Sequence, residues 1–201
     1  ADTVPLAVSR LLARMPRAQV RLVESTMNQL MPQLARGELD IVVGRSGEQY
    51  EDAQLQSETL YTELIDFVAR PNHPLTQKAM LEWDDVLAYS WVVWPQGTPV
   101  RNALETALAA AGRTLPTHCV ESNSSVLNLT LLNNTDLLGV ASHRPALRFQ
   151  QLNALQILPM KLQGFGSVSI YWHAENENRA AVAMALEALR AYADPAGLLQ
   201  R

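Results

Sequence analysis

Cysteine, histidine and clustered positive charge are scarce in this sequence. The single cysteine, Cys119, cannot form a disulfide within the chain, which agrees with a reducing compartment such as the cytosol. The 4 histidines are too far apart for the close ligand pairs of zinc sites. The net charge is −4 and the arginines are scattered, whereas nucleic-acid-binding domains cluster positive charge. The composition therefore argues against a disulfide scaffold, a zinc site and direct nucleic-acid binding.

Long apolar runs are also absent. No stretch approaches the roughly 18 to 20 apolar residues of a membrane span, and no segment has the pattern of a signal peptide. We therefore predict a cytoplasmic protein with no membrane contact. The 201 residues are enough for one large or two small domains. Because the chain lacks an initiator methionine and opens on a helical pattern, we expect it to be part of a longer protein.

The common catalytic motifs are missing as well. There is no glycine-rich phosphate loop of the P-loop or dinucleotide type and no G-x-S-x-G elbow. His118 and Cys119 are adjacent and would point to opposite faces of a strand, so they cannot form a nucleophile–base pair directly. His73 and His173 are interpreted as structural residues. We expect no enzyme activity, no cofactor and no metal site.

One stretch, Arg36–Arg45, suggests how the chain is organised. Gly37 can take the left-handed conformation that closes a helix, and Leu39–Val43 has the length and composition of a buried strand. With a second strand at Val20–Val23 and a helix between them, this region predicts a βαβ crossover. Ligands bind beyond the carboxyl ends of such strands, where Gly44 and Arg45 lie. Alternatively, neither residue contacts a ligand: Gly44 only permits a turn, and Arg45 only lies at the rim of the cleft.

The rest of the pattern predicts further helices and strands. The first helix is capped by Asp2, with Val4, Val8, Leu11, Leu12 and Met15 on its buried face. Internal helices are expected around Leu30 and Leu34, at Trp83–Val86, after Thr98 and after Ser122–Ser125, and a last helix at about Glu177–Ala193. The expected strands are Leu55–Leu60, Glu63–Ala69, Trp91–Trp94, Cys119–Glu121, Leu137–Ala141 and Val168–His173.

Two breaks in this pattern predict two α/β domains. Arg70–Leu75 contains two prolines and favours an extended hinge, and the chain loosens again near Gly164–Gly166. We therefore predict that one domain consists of residues 1–69 and 167–201, and that residues 70–166 form a second domain inserted into it.

The start of the helix after Thr98 is the first candidate binding site. Arg101 falls in the first helical turn, where the helix dipole already places partial positive charge. Backbone N–H groups, the Thr98 hydroxyl and the Arg101 guanidinium together would suit a carboxylate or sulfonate. Alternatively, Arg101 forms an ion pair with Glu105, four residues further along the helix.

Other polar residues follow strand ends. Ser122, Asn123, Ser124 and Ser125 exceed what capping one helix requires, so we expect at least one of them to contact a ligand. Ser25 and Thr26 occupy the corresponding exit of the Val20–Val23 strand, with turn formation as the alternative. Phe165, between two glycines, would cover a ligand or belong to a small core. The predicted ligand-binding residues are Ser25, Thr26, Gly44, Arg45, Thr98, Arg101, Ser122, Ser124, Ser125 and Phe165.

Taken together, these segments resemble the effector-binding domain of LysR-type transcriptional regulators, and most closely the branch with protocatechuate-pathway and galactose-binding-protein regulators. The resemblance covers essentially the whole chain and rests on a collinear set rather than on one motif. The set comprises Arg14-Met15-Pro16, Glu24-Ser25-Thr26, Leu30 with Pro32 and Leu34, Arg36–Arg45, Arg70–Leu75, Gly97–Arg101, and Glu121–Ser125 before Gly139-Val140.

The resemblance implies two Rossmann-like subdomains of the type 2 periplasmic-binding-protein fold, with an inducer in the cleft between them. It further implies dimers through this domain, tetramers of the full-length protein, and DNA binding only through an N-terminal winged helix-turn-helix. The residues at the Thr98–Arg101 helix start predict that the small inducer is an anion. Family members usually have a first strand and a ligand loop that would lie upstream of Ala1. Two alternatives to a regulatory domain remain: a solute-binding protein for transport, which is the main one, and an α/β enzyme.

Overall fold

Helices and strands alternate along most of the chain. A computed structural model of the protein describes residues 3–45 and 53–193, except for the side chains of residues 163–165. The helices are α1 (Thr3–Arg14), α2 (Met27–Ala35), α3 (Trp83–Leu87), α4 (Pro99–Ala110), α5 (Ser125–Asn134), α6 (His143–Gln151) and α7 (Ala180–Ala193). The strands are β1 (Ile41–Arg45), β2 (Leu55–Ala69), β3 (Trp91–Val93), β4 (Cys119–Glu121), β5 (Leu138–Ser142) and β6 (Gln156–His173).

The chain divides into two compact units. Unit 1 comprises Ala1–Thr62 and Gly166–Arg201, and unit 2 comprises Glu63–Phe165. The predicted boundaries lie after residues 69 and 166 rather than after residues 62 and 165. Strands β2 and β6 both belong partly to each unit.

In unit 1, β1 pairs antiparallel with β6, with Ile41 opposite Trp172 and Arg45 opposite Val168. Side chains alternate between the two faces of this pair, as the pleat of a strand requires. Ile170 and Trp172 pack with α1 and α7, whereas Tyr171 packs with α2. Helices therefore cover both faces of the β1–β6 pair.

The end of α2 shows the predicted glycine cap. Gly37 has a φ of 73°, its N–H donates to the Leu34 carbonyl, and the Glu38 N–H donates to the Gln33 carbonyl. This pair of bonds is a Schellman motif, which satisfies carbonyls that the helix end leaves without partners. Leu30 and Leu34 are buried as predicted, and Pro32 lies inside the helix.

The predicted strand Val20–Val23 is wrong. This segment is irregular and exposed, with Leu22 at 59% exposure. A strand needs a neighbour to pair with, and none is present for this segment in residues 3–45 and 53–193, so the predicted βαβ crossover is absent there. The strand predicted at Leu39–Val43 lies two residues further on, as β1. The two segments predicted within 55–69 form one strand, β2.

The buried face of α1 also differs from the prediction. Thr3, Ala7 and Leu11 are buried, whereas Leu12 is 39% exposed. Helix α1 therefore contacts α7 with the face that carries Thr3, Ala7 and Leu11. This face lies one residue earlier along the helix than the predicted face, which carries the larger apolar side chains. The short alanine at position 7 permits a close approach of the two helices.

In unit 2, the strand order is β2-β5-β3-β4. Strands β3, β4 and β5 are parallel, and β2 runs antiparallel to β5. Helices α3 and α4 pack on one face around Phe67 and Trp91, whose rings meet edge to face at 5.4 Å. Helices α5 and α6 cover the other face through Leu132 and Ala146. Parallel strands covered on both faces are typical of α/β folds.

Two features of unit 2 are missing from the predictions. Helix α6 is mostly polar, with one buried residue, Ala146, and a proline in its first turn. The first half of β6, from Gln156, contains Pro159 and Lys161, which disfavour a strand prediction. Every helix in the described ranges is too short or too polar to cross a bilayer.

Candidate functional site

The three parallel strands of unit 2 end at one edge of the sheet, which we call the carboxyl edge. Trp94 follows β3, Ser122 follows β4 and His143 follows β5. The Ser122 N–H donates to the Val93 carbonyl at 3.0 Å, and the Trp94 indole N–H donates to the Val140 carbonyl at 3.1 Å. These bonds fix the three strand exits beside one another. Open α/β sheets bind ligands at such an edge.

Polar groups begin α5 at this edge. Ser124 is the N-cap residue, and its Oγ accepts the Leu127 N–H at 3.3 Å. The Ser122 Oγ accepts the Ser124 N–H at 3.2 Å, and the exposed Ser125 is the first helical residue. A hydroxyl that accepts one hydrogen bond retains its O–H for donation. Ser122 and Ser124 therefore brace the loop and still present donors.

Asn128 lies one turn into α5 and adds a buried amide beneath this loop. Its Nδ2 donates to the Ser122 carbonyl at 3.4 Å, while its Oδ1 is buried and has no hydrogen-bond partner among the described residues. The Ser122–Asn128 region thus combines hydroxyl donors with a buried amide oxygen that has no donor among the described residues.

Thr98 lies at the start of α4, as predicted, but its hydroxyl does not cap the helix. Oγ1 donates to the Pro95 carbonyl at 2.7 Å. This bond holds the loop between β3 and α4, where Gly97 has a φ of 79°. The Thr98 side chain is partly exposed and lies in the connection that leads from the end of β3 to α4.

Arg101 is buried and its guanidinium is engaged. Nε donates to Glu105 Oε1 at 2.6 Å, and Nη1 donates to the Trp94 carbonyl at 3.1 Å. Nη1 also lies 3.8 Å from Glu121 Oε2 on β4, and only 8% of the side chain is exposed. This is the ion pair with Glu105 that the sequence offers as the alternative. The guanidinium connects α4 to the ends of β3 and β4.

Asp66 and His143 form a pair that the sequence does not predict, because the histidines are isolated along the chain. His143 Nδ1 lies 2.5 Å from Asp66 Oδ2. Asp66 is fully buried, and its Oδ1 has no hydrogen-bond partner among the described residues. The available signals are an acid inside the apolar run Leu64–Ala69 and a polar residue directly after a strand. Neither signal shows that the two residues meet.

Four of the other predicted residues, Ser25, Thr26, Gly44 and Arg45, belong to unit 1. Ser25 is exposed and hydrogen-bonds the Gln29 side chain, and Thr26 precedes α2 without a side-chain capping bond. Gly44 and Arg45 end β1, where the Met27 side chain packs against Gly44 and the Arg45 guanidinium lies beside Gly166. The side chain of Phe165 lies outside the described residues.

Two histidines have structural surroundings, as predicted. His73 is fully buried, accepts the Leu75 N–H at Nδ1, and packs against the Tyr89 ring with centroids 4.7 Å apart. Burial lowers its pKa from the ordinary value of histidine. The buried His173 pairs through Nε2 with the Leu34 carbonyl at 3.0 Å.

Cys119 on β4 does not have the surroundings of a reactive thiol. Burial raises its pKa, and the nearby positive charge of Arg101 only partly opposes this effect. The thiol donates to the Pro116 carbonyl. Because the thiolate is the nucleophilic form, these surroundings disfavour covalent chemistry at Cys119.

A surface depression of about 350 Å³ lies elsewhere in unit 2, between α3, the end of α4 and β6. The depression is lined by Trp83, Met160 and an exposed ion pair between Arg113 and Asp84. Nη2 of Arg113 lies 2.7 Å from Oδ1 of Asp84. The depression contains none of the predicted ligand-binding residues. The carboxyl edge has the more specific chemistry.

Comparison with known proteins identifies the family. The profile described as LysR substrate binding domain matches residues 1–194. Over 162 residues, the chain is 33% identical to the HTH-type transcriptional regulator GalR of Pseudomonas putida. This match covers 80% of the chain and 40% of GalR. It is 26% identical over 188 residues to the HTH-type transcriptional regulator PcaQ of Agrobacterium fabrum, covering 93% of this chain and 60% of that protein. The chain thus spans roughly half the length of these relatives.

Solved structures show the same fold. The regulatory domain of CcmR from Synechocystis, solved in complex with 2-PG, superposes with a TM-score of 0.75 at 15% identity, covering 96% of this chain and 91% of that one. The reduced regulatory domain of OxyR from Pseudomonas aeruginosa superposes with a TM-score of 0.68 at 18% identity, covering 94% of this chain and 90% of that one. These domains have the predicted type 2 periplasmic-binding-protein-like fold. The relatives are transcriptional regulators, so neither the enzyme nor the transport alternative is supported.

Proposed function

Because the chain belongs to the LysR substrate-binding domain family, we propose that this effector-sensing domain binds a small organic acid at the carboxyl edge of unit 2. The observation that carries the proposal is the meeting of three strand exits, with Trp94, Ser122 and His143, beside the polar start of α5. The N–H groups and dipole of a helix start favour an anion. Thr98, Ser122, Ser124 and Ser125 are the proposed contacts in this unit. Ser25, Thr26, Gly44, Arg45 and Phe165 remain proposed contacts of lower priority.

Arg101 takes a different place in this proposal. Its contacts with Glu105, Glu121 and the Trp94 carbonyl leave the guanidinium committed to the protein. We therefore assign Arg101 to the support of the edge and the serines to the effector.

The whole regulator is proposed to work through two arrangements of its regulatory domains. An effector shifts such an equilibrium only if it binds the two arrangements with different affinities. The shift would change the spacing of N-terminal helix-turn-helix domains on DNA, in keeping with the names of the relatives, in the cytoplasm of a bacterium.

A charge placed at the edge tests the binding site. Thermal-shift measurements with benzoate, 3,4-dihydroxybenzoate, benzenesulfonate and gluconate identify acids that stabilise the native state. Calorimetry then compares Ser124→Asp with Ser90→Asp. Aspartate caps helices as well as serine does, so Ser124→Asp should keep its fold while repelling an acid, with affinity reduced about tenfold or more. Ser90 is exposed before β3, at the opposite end of that strand, so its variant is the matched control. If Ser124→Asp and Ser90→Asp bind the acid with equal affinity, the proposed site is wrong. If none of the acids stabilises the unaltered protein, the proposed ligand class is wrong.

Dimer formation through this domain, and tetramers of the full-length protein, are also proposed. Val126 and Leu127 on α5 are 73% and 58% exposed, and adjacent exposed apolar side chains are typical of an interaction surface. Sedimentation velocity should show a dimer that dissociates in Val126→Lys. A monomer at all concentrations in the unaltered protein would contradict this assignment.

A further inference from the structure

We propose that His143 is an effector-binding residue that accepts a hydrogen bond from a hydroxyl group of the effector, and that Asp66 positions it. This inference rests on the proposed function and deepens it, because it specifies that the effector carries a hydroxyl as well as an acid group. The sequence pattern does not indicate either residue as a ligand contact.

The register of the strands places both residues at the carboxyl edge. Asp66 on β2 lies directly opposite Ala141 on β5, and His143 follows two positions later. His143 begins α6 directly after the end of β5, and its imidazole meets the Asp66 carboxylate there. Glu63, three residues before Asp66, lies on the other face of β2 and is not part of this pair.

The geometry assigns the roles of the two ring nitrogens. Asp66 Oδ2 lies 2.5 Å from Nδ1, and a carboxylate only accepts hydrogen bonds, so Nδ1 carries the hydrogen. Nε2 lies on the far side of the ring and, in the neutral imidazole, is an acceptor. The side chain is 30% exposed, and no described residue is paired with Nε2. The neutral His143 ring therefore offers an acceptor at Nε2.

The location of His143 suits a ligand that also contacts the serines. Strand β3 lies between β5 and β4, so their exits are two strand spacings apart, about 10 Å. Trp94, which directly follows β3, lies in this interval. The serine hydroxyls and helix start offer donors to an acid group, and His143 offers an acceptor to a hydroxyl. A hydroxylated acid satisfies both ends.

The test pairs two probes with two variants, at pH 8. The probes are 3,4-dihydroxybenzoate and benzoate, which differ only in their hydroxyl groups. His143→Asn keeps a donor near the Nδ1 position for Asp66 but removes Nε2. His118→Asn is the matched control, because His118 is exposed in the loop before β4, at the opposite end of that strand. Calorimetry measures the affinity of each protein for each probe.

We expect the unaltered protein and His118→Asn to favour 3,4-dihydroxybenzoate over benzoate by about 3- to 10-fold, the effect of one net hydrogen bond. His143→Asn should bind both probes alike. If His143→Asn keeps the preference, or if the unaltered protein shows none while still binding an acid, the role of His143 is overturned and the proposed function stands. If the unaltered protein binds neither these probes nor any other acid, both proposals fail.

The positioning role of Asp66 has a readout that needs no ligand. Ring-nitrogen NMR spectra should show the His143 hydrogen on Nδ1 in the unaltered protein. In Asp66→Asn the amide can donate to Nδ1, so we expect a fraction of the hydrogen on Nε2 and a smaller preference for the hydroxylated probe. A hydrogen on Nε2 and none on Nδ1 in the unaltered protein would overturn the assignment.

Discussion

Arg101 donates from Nη1 to the backbone carbonyl of Trp94 at 3.1 Å, a bond that joins the first turn of α4 to the exit of β3. The same guanidinium donates from Nε to Glu105. A cation in the first turn opposes the helix dipole by roughly 0.3–1 kcal/mol, so acceptors on two sides are needed to hold it there. The arginine therefore stabilises the loop that the proposed effector site requires.

Substitution of Arg101 should destabilise unit 2. In Arg101→Met the aliphatic bulk is largely retained, but the Trp94 carbonyl and Glu105 lose a charged donor. We expect the free energy of unfolding to fall by about 2 kcal/mol, the range of hydrogen bonds to charged groups. Urea denaturation measures this change.

Arg113→Met is the matched control for this substitution. Arg113 also pairs with an acid, Asp84, but both side chains are exposed, so we expect a change below about 1 kcal/mol. If Arg101→Met keeps its stability and loses only affinity for acids, Arg101 contacts the effector directly.

His73 should make the stability depend on pH. Its buried ring accepts the Leu75 N–H at Nδ1 and contacts the Asp136 carbonyl at Nε2, an arrangement that suits the neutral form. Burial lowers its pKa in the folded protein, so below about pH 6.5 the unfolded chain binds a proton that the folded protein does not. Stability is therefore complete above this pH and is lost as the pH falls towards the lower folded pKa.

The magnitude follows from one proton. The free energy of unfolding should fall by up to about 1.4 kcal/mol per pH unit below pH 6.5 through His73. In His73→Asn, an asparagine oxygen can still accept the Leu75 N–H, so the variant should fold with reduced stability and a shallower slope. Urea denaturation from pH 5 to pH 8 compares the slopes. Identical slopes would show that another group is responsible.

Features with local signals could be predicted from the sequence, and features that depend on distant partners could not. The cap at Gly37, the start of α4 at Pro99 and the cap at Ser124 each follow from residues within one turn. The run Val20–Val23 has strand composition, yet strand formation requires a neighbour that the composition does not reveal.

The candidate site divides in the same way. Ser122 and Ser124 are predicted because their residue types and their place after a strand indicate a polar helix start. The partner of Asp66 lies 77 residues away, so no spacing rule connects it with His143. For Arg101, the contact with Glu105 follows from helical spacing, whereas the contacts with Trp94 and Glu121 depend on how α4 packs on the strands.

The packing of Gly44, at the end of β1, against Met27 of α2 can be tested with a double-mutant cycle. A Cβ at Gly44 would clash with Met27 Sδ, so Gly44→Ala must displace the methionine from its place on the strand. We expect a loss of about 1–3 kcal/mol, which is typical of overpacking. In a Met27→Ala background the same glycine substitution should have almost no effect, because the obstructing side chain is gone. Urea denaturation of the four proteins gives the coupling energy, which we expect to exceed about 0.5 kcal/mol. Additive effects would mean that Met27 moves aside without loss, and that Gly44 is not required by the contact with α2.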